Sequence, residues 1–160
     1  MSCIFHDTVE CNNKVSVNGK IVCNDYINKL FNLTLNPSSI KGAGIGLFAG
    51  KYGFKKGDVI GEYSRYDIMK KGKEINCSKE EFHSCYEYLY GSNFGKYFDA
   101  RFAPDVLVRY ANDARNQRKN NAYFDEYGRR VFMVASKKIK PYAEIFCDYG
   151  PEYDWSFLKK

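Results

Sequence analysis

The sequence predicts a mostly β domain, on three observations. Many of its apolar residues fall in short runs rich in Val, Ile, Phe and Tyr, and Gly, Pro or Asn bound these runs. Only one segment carries both the start and the stop signal of a helix. The composition is 44% hydrophobic and 17% aromatic, which suits β-rich cores because aromatic and β-branched side chains pack well on pleated sheets. A length of 160 residues fits one domain with its own core.

The N-terminal part predicts a hairpin and then a strand. Residues 1–29 are polar and rich in Asn, so we expect an N-terminal extension before a main domain at 30–160. Val15–Val17 and Lys20–Val22 flank Asn18-Gly19, a dipeptide that favours the tight turn of a hairpin. The apolar run from Leu30 to Leu35 predicts a strand that leads into a glycine-rich segment.

That segment, residues 41–50, reads KGAGIGLFAG, and its GIGLFA fits a G-x-G-x-x-G/A phosphate-binding pattern. A dinucleotide site also needs a helix directly after the glycines, with its N-terminus facing the pyrophosphate. Here Gly50, Gly53 and Gly57 follow, and the strand-like run 58–63 comes next. So many glycines disfavour a helix after the pattern, and the pattern therefore does not predict a dinucleotide site.

One helix is predicted, from Lys79 to Tyr90. The sequence SKEE at 78–81 has the pattern of a capping box, the apolar residues of 82–89 share a helical face, and Gly91 ends the helix. After it, strand signals dominate at 96–99, 106–110, 121–124, 130–135 and 144–149.

The net charge of +6 is compatible with an acidic partner such as nucleic acid. The cations are spread along the sequence, with the densest run at 115–119, so we expect nucleic-acid contact to be weak at most. Two acidic regions, 74–87 and 144–154, are suited to a basic peptide partner.

The six cysteines contain no C-x-x-C pair, and the two histidines complete no familiar zinc spacing. We therefore expect no structural zinc, and reduced thiols. The N-terminus lacks the basic flank and apolar run of a signal peptide, and no apolar stretch is long enough to span a membrane. The sequence thus predicts an intracellular protein without membrane contact.

Several segments, taken in order, resemble those of the SET-domain protein lysine methyltransferases. They are SIKGAGIGLFA at 39–49, GDVIGEY at 57–63, YFDARFAPDVLVRYANDA at 97–114, Asn121-Ala122, and VASKKIKPYAEIFCDYG at 134–150. The resemblance covers about residues 33 to 155. It implies small β-sheets with a C-terminal pseudoknot and a short helical insert, as in the compact stand-alone enzymes of large DNA viruses and protists.

The resemblance implies that S-adenosylmethionine is the cofactor and that glycine lets the main chain approach it closely. Asn112 corresponds to the Asn of the family's "NHS" motif, whereas Asp113 stands where His is usual. Trp155 either covers the adenine or closes the domain as an apolar plug. The implied cofactor-binding residues are Ala43, Gly44, Ile45, Gly46, Arg109, Tyr110, Asn112, Asp113, Tyr149 and Trp155.

Tyr149, in the family's "DYG" ending, is the implied catalytic residue, because methyl transfer is an in-line displacement that depends on positioning. The attacking lysine must be neutral, and an apolar channel lowers the pKa of an amine from about 10.4. Channel candidates are Tyr63, Tyr97, Phe98, Phe124 and Cys147, with Tyr110 and Phe146 as further aromatic candidates. Neither Cys147 nor Phe124 offers a hydroxyl at the acceptor position, which favours methylation beyond the first step.

The leading hypothesis is thus a protein lysine methyltransferase, most simply one that acts on a histone tail and lies in the nucleus. The second is a catalytically silent SET-like module that binds a peptide or partner, a hypothesis that Asp113 favours. The third is a basic nucleic-acid-binding domain, which the spread of the cations disfavours.

Overall fold

Four small antiparallel sheets form the protein in the computed structural model, which describes residues 11–17, 19–64 and 106–150 and the backbone of two strands at 89–91 and 97–99. The elements are β1 (Lys14–Val17), β2 (Lys20–Cys23), α1 (Asn24–Phe31), β3 (Leu33–Pro37), β4 (Ile45–Ala49), β5 (Val59–Glu62), β6 (Leu89–Gly91), β7 (Tyr97–Asp99), a 3-10 helix (Leu107–Tyr110), β8 (Ala122–Tyr127), β9 (Arg130–Ala135) and β10 (Glu144–Ile145).

The two larger sheets have three strands each, in the orders β10-β4-β3 and β5-β9-β8. Strands β1 and β2 form the predicted hairpin, with Val15 opposite Val22, and β6 pairs with β7. The mostly β prediction is therefore confirmed. No described helix is long and apolar enough to cross a membrane.

The helix α1 was not predicted, and it changes the assignment of Leu30 and Phe31. The sequence predicted a strand from Leu30 to Leu35, but these two residues form the last turn of α1, and β3 begins only at Leu33. Asn32 ends the helix in the left-handed conformation, with its main-chain N–H donating to the Asn28 carbonyl. Asn favours this conformation among non-glycine residues, so it separates helix from strand without a glycine.

Two other predicted elements are corrected. The predicted strand Val106–Tyr110 contains a 3-10 helix, in which the Arg109 N–H donates to the Val106 carbonyl. All five residues are buried, Arg109 among them, so this mostly apolar run indicated burial rather than a strand. For the predicted helix at 79–90, residues 79–88 lie outside the described residues, and Leu89 and Tyr90 belong to β6, which pairs with β7.

One hydrophobic core joins the sheets. It contains Leu35 and Leu47 from one large sheet and Val131 from the other. Val17 and Ile27, from the predicted N-terminal extension, pack into the same core. The division at residue 30 stays a prediction.

The structure contradicts the expectation of reduced thiols at two positions, because Cys11 and Cys23 form a disulfide across a sequence separation of 12 residues. The pairing follows from the β1–β2 hairpin, which returns the chain to Cys11, and no sequence motif indicates it. Among the described residues, one group could hold a metal ion, namely Cys11, Cys23 and Asp25, but the disulfide joins both of its sulfur atoms.

Candidate active site

The glycine-rich segment turns the chain into β4. The Ser38 N–H donates to the Gly44 carbonyl at 2.8 Å, and the Ala43 N–H to the Ile40 carbonyl at 3.1 Å. Gly44 has φ of +71°, and no atom of the other described residues lies within 4 Å of the place where its Cβ would sit. A side chain is therefore disfavoured there by the backbone, and a ligand has open access. Directly after Gly44 the chain forms the strand β4 and not a helix, which agrees with the exclusion of a dinucleotide site.

Gly46 packs against Glu144, while its predicted contact with the cofactor stays a prediction. Its main chain is buried against the Glu144 carboxylate, and a Cβ on Gly46 would overlap the Oε1 atom of that group. Glu144 accepts hydrogen bonds from the Ser38 hydroxyl at 2.5 Å, and from the Ser39 N–H and hydroxyl at 2.9 and 2.6 Å. Gly46 thus makes room for a carboxylate that fixes the turn before Gly44.

Sequence reasoning missed Glu144 as a residue of this site. The available signal was that an acidic residue begins the otherwise apolar strand run 144–147. A buried carboxylate needs hydrogen-bond donors, and a pair of adjacent serines 105 residues away supplies them.

Residues 146–149 lie between two other segments and bond to both. On one side, the Cys147 N–H donates to the Asn112 carbonyl at 2.9 Å. On the other side, the Ala122 N–H donates to the Phe146 carbonyl at 3.0 Å, and the Asn121 side chain bonds the main chain at Glu144 and Phe146. Both pairings are parallel bridges, at Asn112–Phe146 and Ala122–Cys147. We call residues 146–149 the threaded segment.

Asn112 joins the threaded segment to the glycine turn. Its main chain bonds Cys147, and its side-chain amide donates to the Ile45 carbonyl at 3.2 Å. Asn112 is partly buried and pairs with Phe146, and its side chain bonds Ile45, the residue that follows Gly44. The structure therefore brings the adjacent predicted site residues Gly44 and Ile45 together with Asn112, which is 67 positions from Ile45 in sequence.

Tyr149 completes this arrangement at the end of the threaded segment. Its hydroxyl donates to the Ala111 carbonyl at 2.7 Å, and its main-chain N–H donates to the Asp113 carboxylate at 2.9 Å. The other oxygen of Asp113 accepts from the Arg115 N–H at 2.7 Å and the Asn120 side-chain amide at 2.9 Å. Asp113 thus holds the main chain of Tyr149 from one side, while Ala111 holds its hydroxyl.

Of the described channel candidates, Cys147 belongs to the threaded segment, and Tyr63 and Phe124 contact each other. The rings of Tyr63 and Phe124 meet edge to face, with centroids 5.3 Å apart. Cys147 pairs with Ala122, which is two residues before Phe124 on β8 and so on the same face of that strand. Cys147 is fully buried, and this burial, together with the nearby charges of Asp113 and Asp148, raises the pKa of its thiol well above the ordinary value. The thiol is therefore neutral.

Known proteins share both sequence and structure with this chain. A sequence model of the SET domain family matches residues 44–150, which is more than half of the chain. The chain belongs to the SET domain family. The structure also resembles the methyltransferase domain of human PR domain-containing protein 2, with a TM-score of 0.51 and 20% identity over 91% of this chain and 95% of that one.

A second similar structure is described as ctPRC2 in an autoinhibited conformation bound to S-adenosylmethionine. The TM-score is 0.49 and the identity is 25% over 79% of this chain, which corresponds to 16% of that much longer chain. The family that the sequence motifs indicated is thus confirmed by the family match.

The remaining predicted residues of this SET domain fall into two groups. Arg109 and Tyr110 are buried in the 3-10 helix, and the Arg109 guanidinium lies 4.7 Å from the Tyr110 ring centroid. Their contact with a cofactor stays a prediction. Trp155 lies outside the described residues, and Tyr97 and Phe98 are described only as backbone in β7.

Proposed function

We propose that this SET domain transfers methyl groups from S-adenosylmethionine to a lysine side chain of a protein, with a histone tail as the substrate. Membership of the family supports methyl transfer with this cofactor. One observation carries the proposal for the site. The threaded segment places Tyr149 and Asn112 in a single hydrogen-bonded unit with the glycine turn at Gly44.

The residues present fit the cofactor. Gly44 leaves open space at a turn where the main chain can approach a ligand, and the Asn112 side chain supplies an oxygen acceptor beside its donating amide. Asn112 would hold the amino-acid end, and the main chain around Gly44 would line the rest. When bound, the cofactor supplies an electrophilic methyl group on a sulfonium.

Tyr149 positions the reacting groups. Its hydroxyl is fixed at 2.7 Å from the Ala111 carbonyl, so a phenol oxygen and a main-chain oxygen lie side by side. These two oxygen atoms can orient a methyl group and an amine on one line, and such orientation accounts for much of the rate of a displacement. The Tyr63–Phe124 ring pair lowers the pKa of an entering lysine by desolvation, which favours the neutral nucleophile.

The histone substrate is supported by charge. Glu144 is buried against Ser38 and Ser39, so the acids that suit a peptide rich in Lys and Arg are those of 74–87 and 148–154. A histone substrate would place the enzyme in the nucleus. The small side chain at Cys147 leaves room for a lysine that already carries a methyl group, so we propose methylation beyond the first step.

The test is transfer of labelled methyl from S-adenosylmethionine to core histones, with Tyr149→Phe as the variant and Tyr127→Phe as the matched control. Tyr127 is 80% exposed at the end of β8, so its hydroxyl should not matter. Label on a histone that is lost in Tyr149→Phe and kept in Tyr127→Phe supports the proposal. Cofactor binding without label on histones points to another substrate. No label on any protein of a whole-cell extract, with binding intact, points to the silent module that Asp113 favours.

A further inference from the structure

Three segments that are far apart in sequence carry a concentration of exposed cations. The segments are 54–58, 114–121 and 136–140. Their cationic side chains, all exposed, are Lys55, Lys56, Arg115, Arg118, Lys119, Lys137, Lys138 and Lys140. We call this set the basic stripe.

Main-chain contacts bring the three segments together. Phe54 and Ile139 form an isolated antiparallel bridge, with both N–H···O bonds at 2.9 Å, which places Lys55 opposite Lys138 and Gly53 opposite Lys140. On the other side, the Lys137 ammonium donates to the Arg118 carbonyl at 2.6 Å. The Ser136 N–H also donates to the Asn121 carbonyl at 2.9 Å. The stripe is therefore continuous from residue 55 to the 115–119 loop.

The basic stripe accounts for the positive charge of the protein. It holds eight of the 25 Lys and Arg residues, while its segments contain one of the 19 acids, Asp58. The rest of the chain then has 17 cations and 18 acids, a net charge of −1. The fold thus brings together eight of the cations that are spread along the sequence, and these eight give a surface on which stronger contact with nucleic acid is possible.

We propose that the basic stripe binds the phosphate backbone of a duplex nucleic acid. Eight cations with a single acid, Asp58, among them give the strongly positive surface that such binding requires. A protein partner would need an apolar centre in its interface. The large exposed apolar side chains of the described residues lie outside the three segments, although Tyr52, Val59, Tyr123 and Tyr142 flank them singly. The segment 114–121 instead adds exposed Asn and Gln side chains, which can bond phosphate and sugar oxygens.

The stripe ends beside the candidate active site. Gln117, in the same loop as Arg118, donates to the Asp148 carboxylate at 2.7 Å, and Asp148 belongs to the threaded segment. A bound duplex would therefore lie next to Tyr149. This consequence rests on the proposed function, whereas the binding itself does not.

The test is fluorescence anisotropy with labelled duplex DNA of random sequence, duplex RNA and polyglutamate, between 50 and 200 mM NaCl. If the stripe neutralises about four phosphates, the affinity should fall about 150-fold over this range, from a slope of about −0.9 per phosphate in the logarithmic plot. Binding should not depend on base sequence. The DNA and RNA arms show which duplex is preferred.

The variant is Lys119→Glu with Lys138→Glu, and the matched control is Lys20→Glu with Lys29→Glu, on β2 and α1. Both change the net charge equally, and thermal unfolding verifies that both fold. Loss of at least tenfold in duplex affinity in the stripe variant alone supports the proposal. Equal losses in both variants, no duplex binding at 50 mM NaCl, or polyglutamate binding as tight as duplex binding would overturn it.

Discussion

At the scale of single residues, Asp113 holds the main chain of the candidate catalytic tyrosine. Its two carboxylate oxygens accept from the N–H groups of Tyr149 and Arg115 and from the Asn120 amide. In Asp113→Asn, an NH2 group replaces one of the two carboxylate oxygens. This group is itself a donor, and it would face an N–H donor of a neighbouring residue. A hydrogen bond to a charged group contributes about 1.5–3 kcal/mol, so Tyr149 should shift. We expect kcat to fall at least about tenfold while the KM for the protein substrate changes little, as measured by steady-state methyl transfer.

Asp125→Asn is the matched control, because Asp125 is exposed on β8. It should leave both constants near those of the unaltered protein. A rise in KM for S-adenosylmethionine with an unchanged kcat in Asp113→Asn would instead show that Asp113 acts as a direct cofactor contact.

The two glycines of the G-x-G pattern should respond differently to substitution by Ala. In Gly46→Ala, the new methyl group displaces the Glu144 carboxylate from Ser38 and Ser39, and about 1–3 kcal/mol of unfolding free energy should be lost. In Gly44→Ala, the space is open, and only the unfavourable φ costs about 1–2 kcal/mol.

The measurement for this pair is denaturant unfolding together with cofactor affinity. Gly44→Ala should weaken cofactor binding more than Gly46→Ala, since only Gly44 faces open space. The double variant Gly46→Ala with Glu144→Ala should lose less stability than the sum of the two single variants, because the overlap is then gone. Strict additivity would contradict the assigned role of Gly46.

Motif comparison predicted Gly44, Ile45, Asn112 and Tyr149 as one group, and the structure joins them. It could not predict that Gly46 accommodates Glu144, because the sequence shows no contact between residues about 100 positions apart. The role of Asp113 could not be predicted either. An Asp at a position usually held by His could not be assigned without the position of its neighbours.

At the scale of elements, sequence patterns worked where turn chemistry was distinct. The Asn18-Gly19 dipeptide predicted a hairpin, β1 and β2 do pair, and Arg130–Ala135 was predicted with its observed bounds. The short helix α1 was missed because Cys23 at its N-cap makes no side-chain cap bond and its stop is an Asn rather than a Gly. Helices this short are held by tertiary contacts, here those of the buried Asn24 and Ile27.

The disulfide ties the start of α1 to the residues before β1. Closing a loop with a separation of 12 residues should contribute about 3 kcal/mol, or a melting temperature roughly 6–12 °C higher for a chain of this size. We expect dithiothreitol to lower the melting temperature of the unaltered protein by about that amount. In Cys11→Ala with Cys23→Ala, the reductant should change nothing, since Cys147, the one other cysteine among the described residues, is a buried free thiol. An equal drop in the double variant would mean that other cysteines cause the effect.

At the scale of the whole molecule, the threaded segment joins the site to parts of the fold that are far apart in sequence. Residues 146–149 bond to residues 111–113 and 121–122, while Glu144 bonds to Ser38 and Ser39. Sequence can predict the parts of such a site but not their pairing, because parallel bridges between distant segments leave no local pattern. A ligand bound at this junction contacts elements from both large sheets and should stabilise the fold globally.

S-adenosylhomocysteine at about 100 times its dissociation constant should therefore add roughly 2.7 kcal/mol, which raises the melting temperature by about 5–10 °C. In Asn112→Ala, this shift should shrink, because the amide that lies between Ile45 and the ligand is lost. Asn36→Ala, which removes an amide that bonds Thr34 within β3, is the matched control and should keep the full shift. The readout is the ligand-induced shift, so a lower starting temperature of either variant does not matter. A full shift in Asn112→Ala would remove Asn112 from the cofactor site.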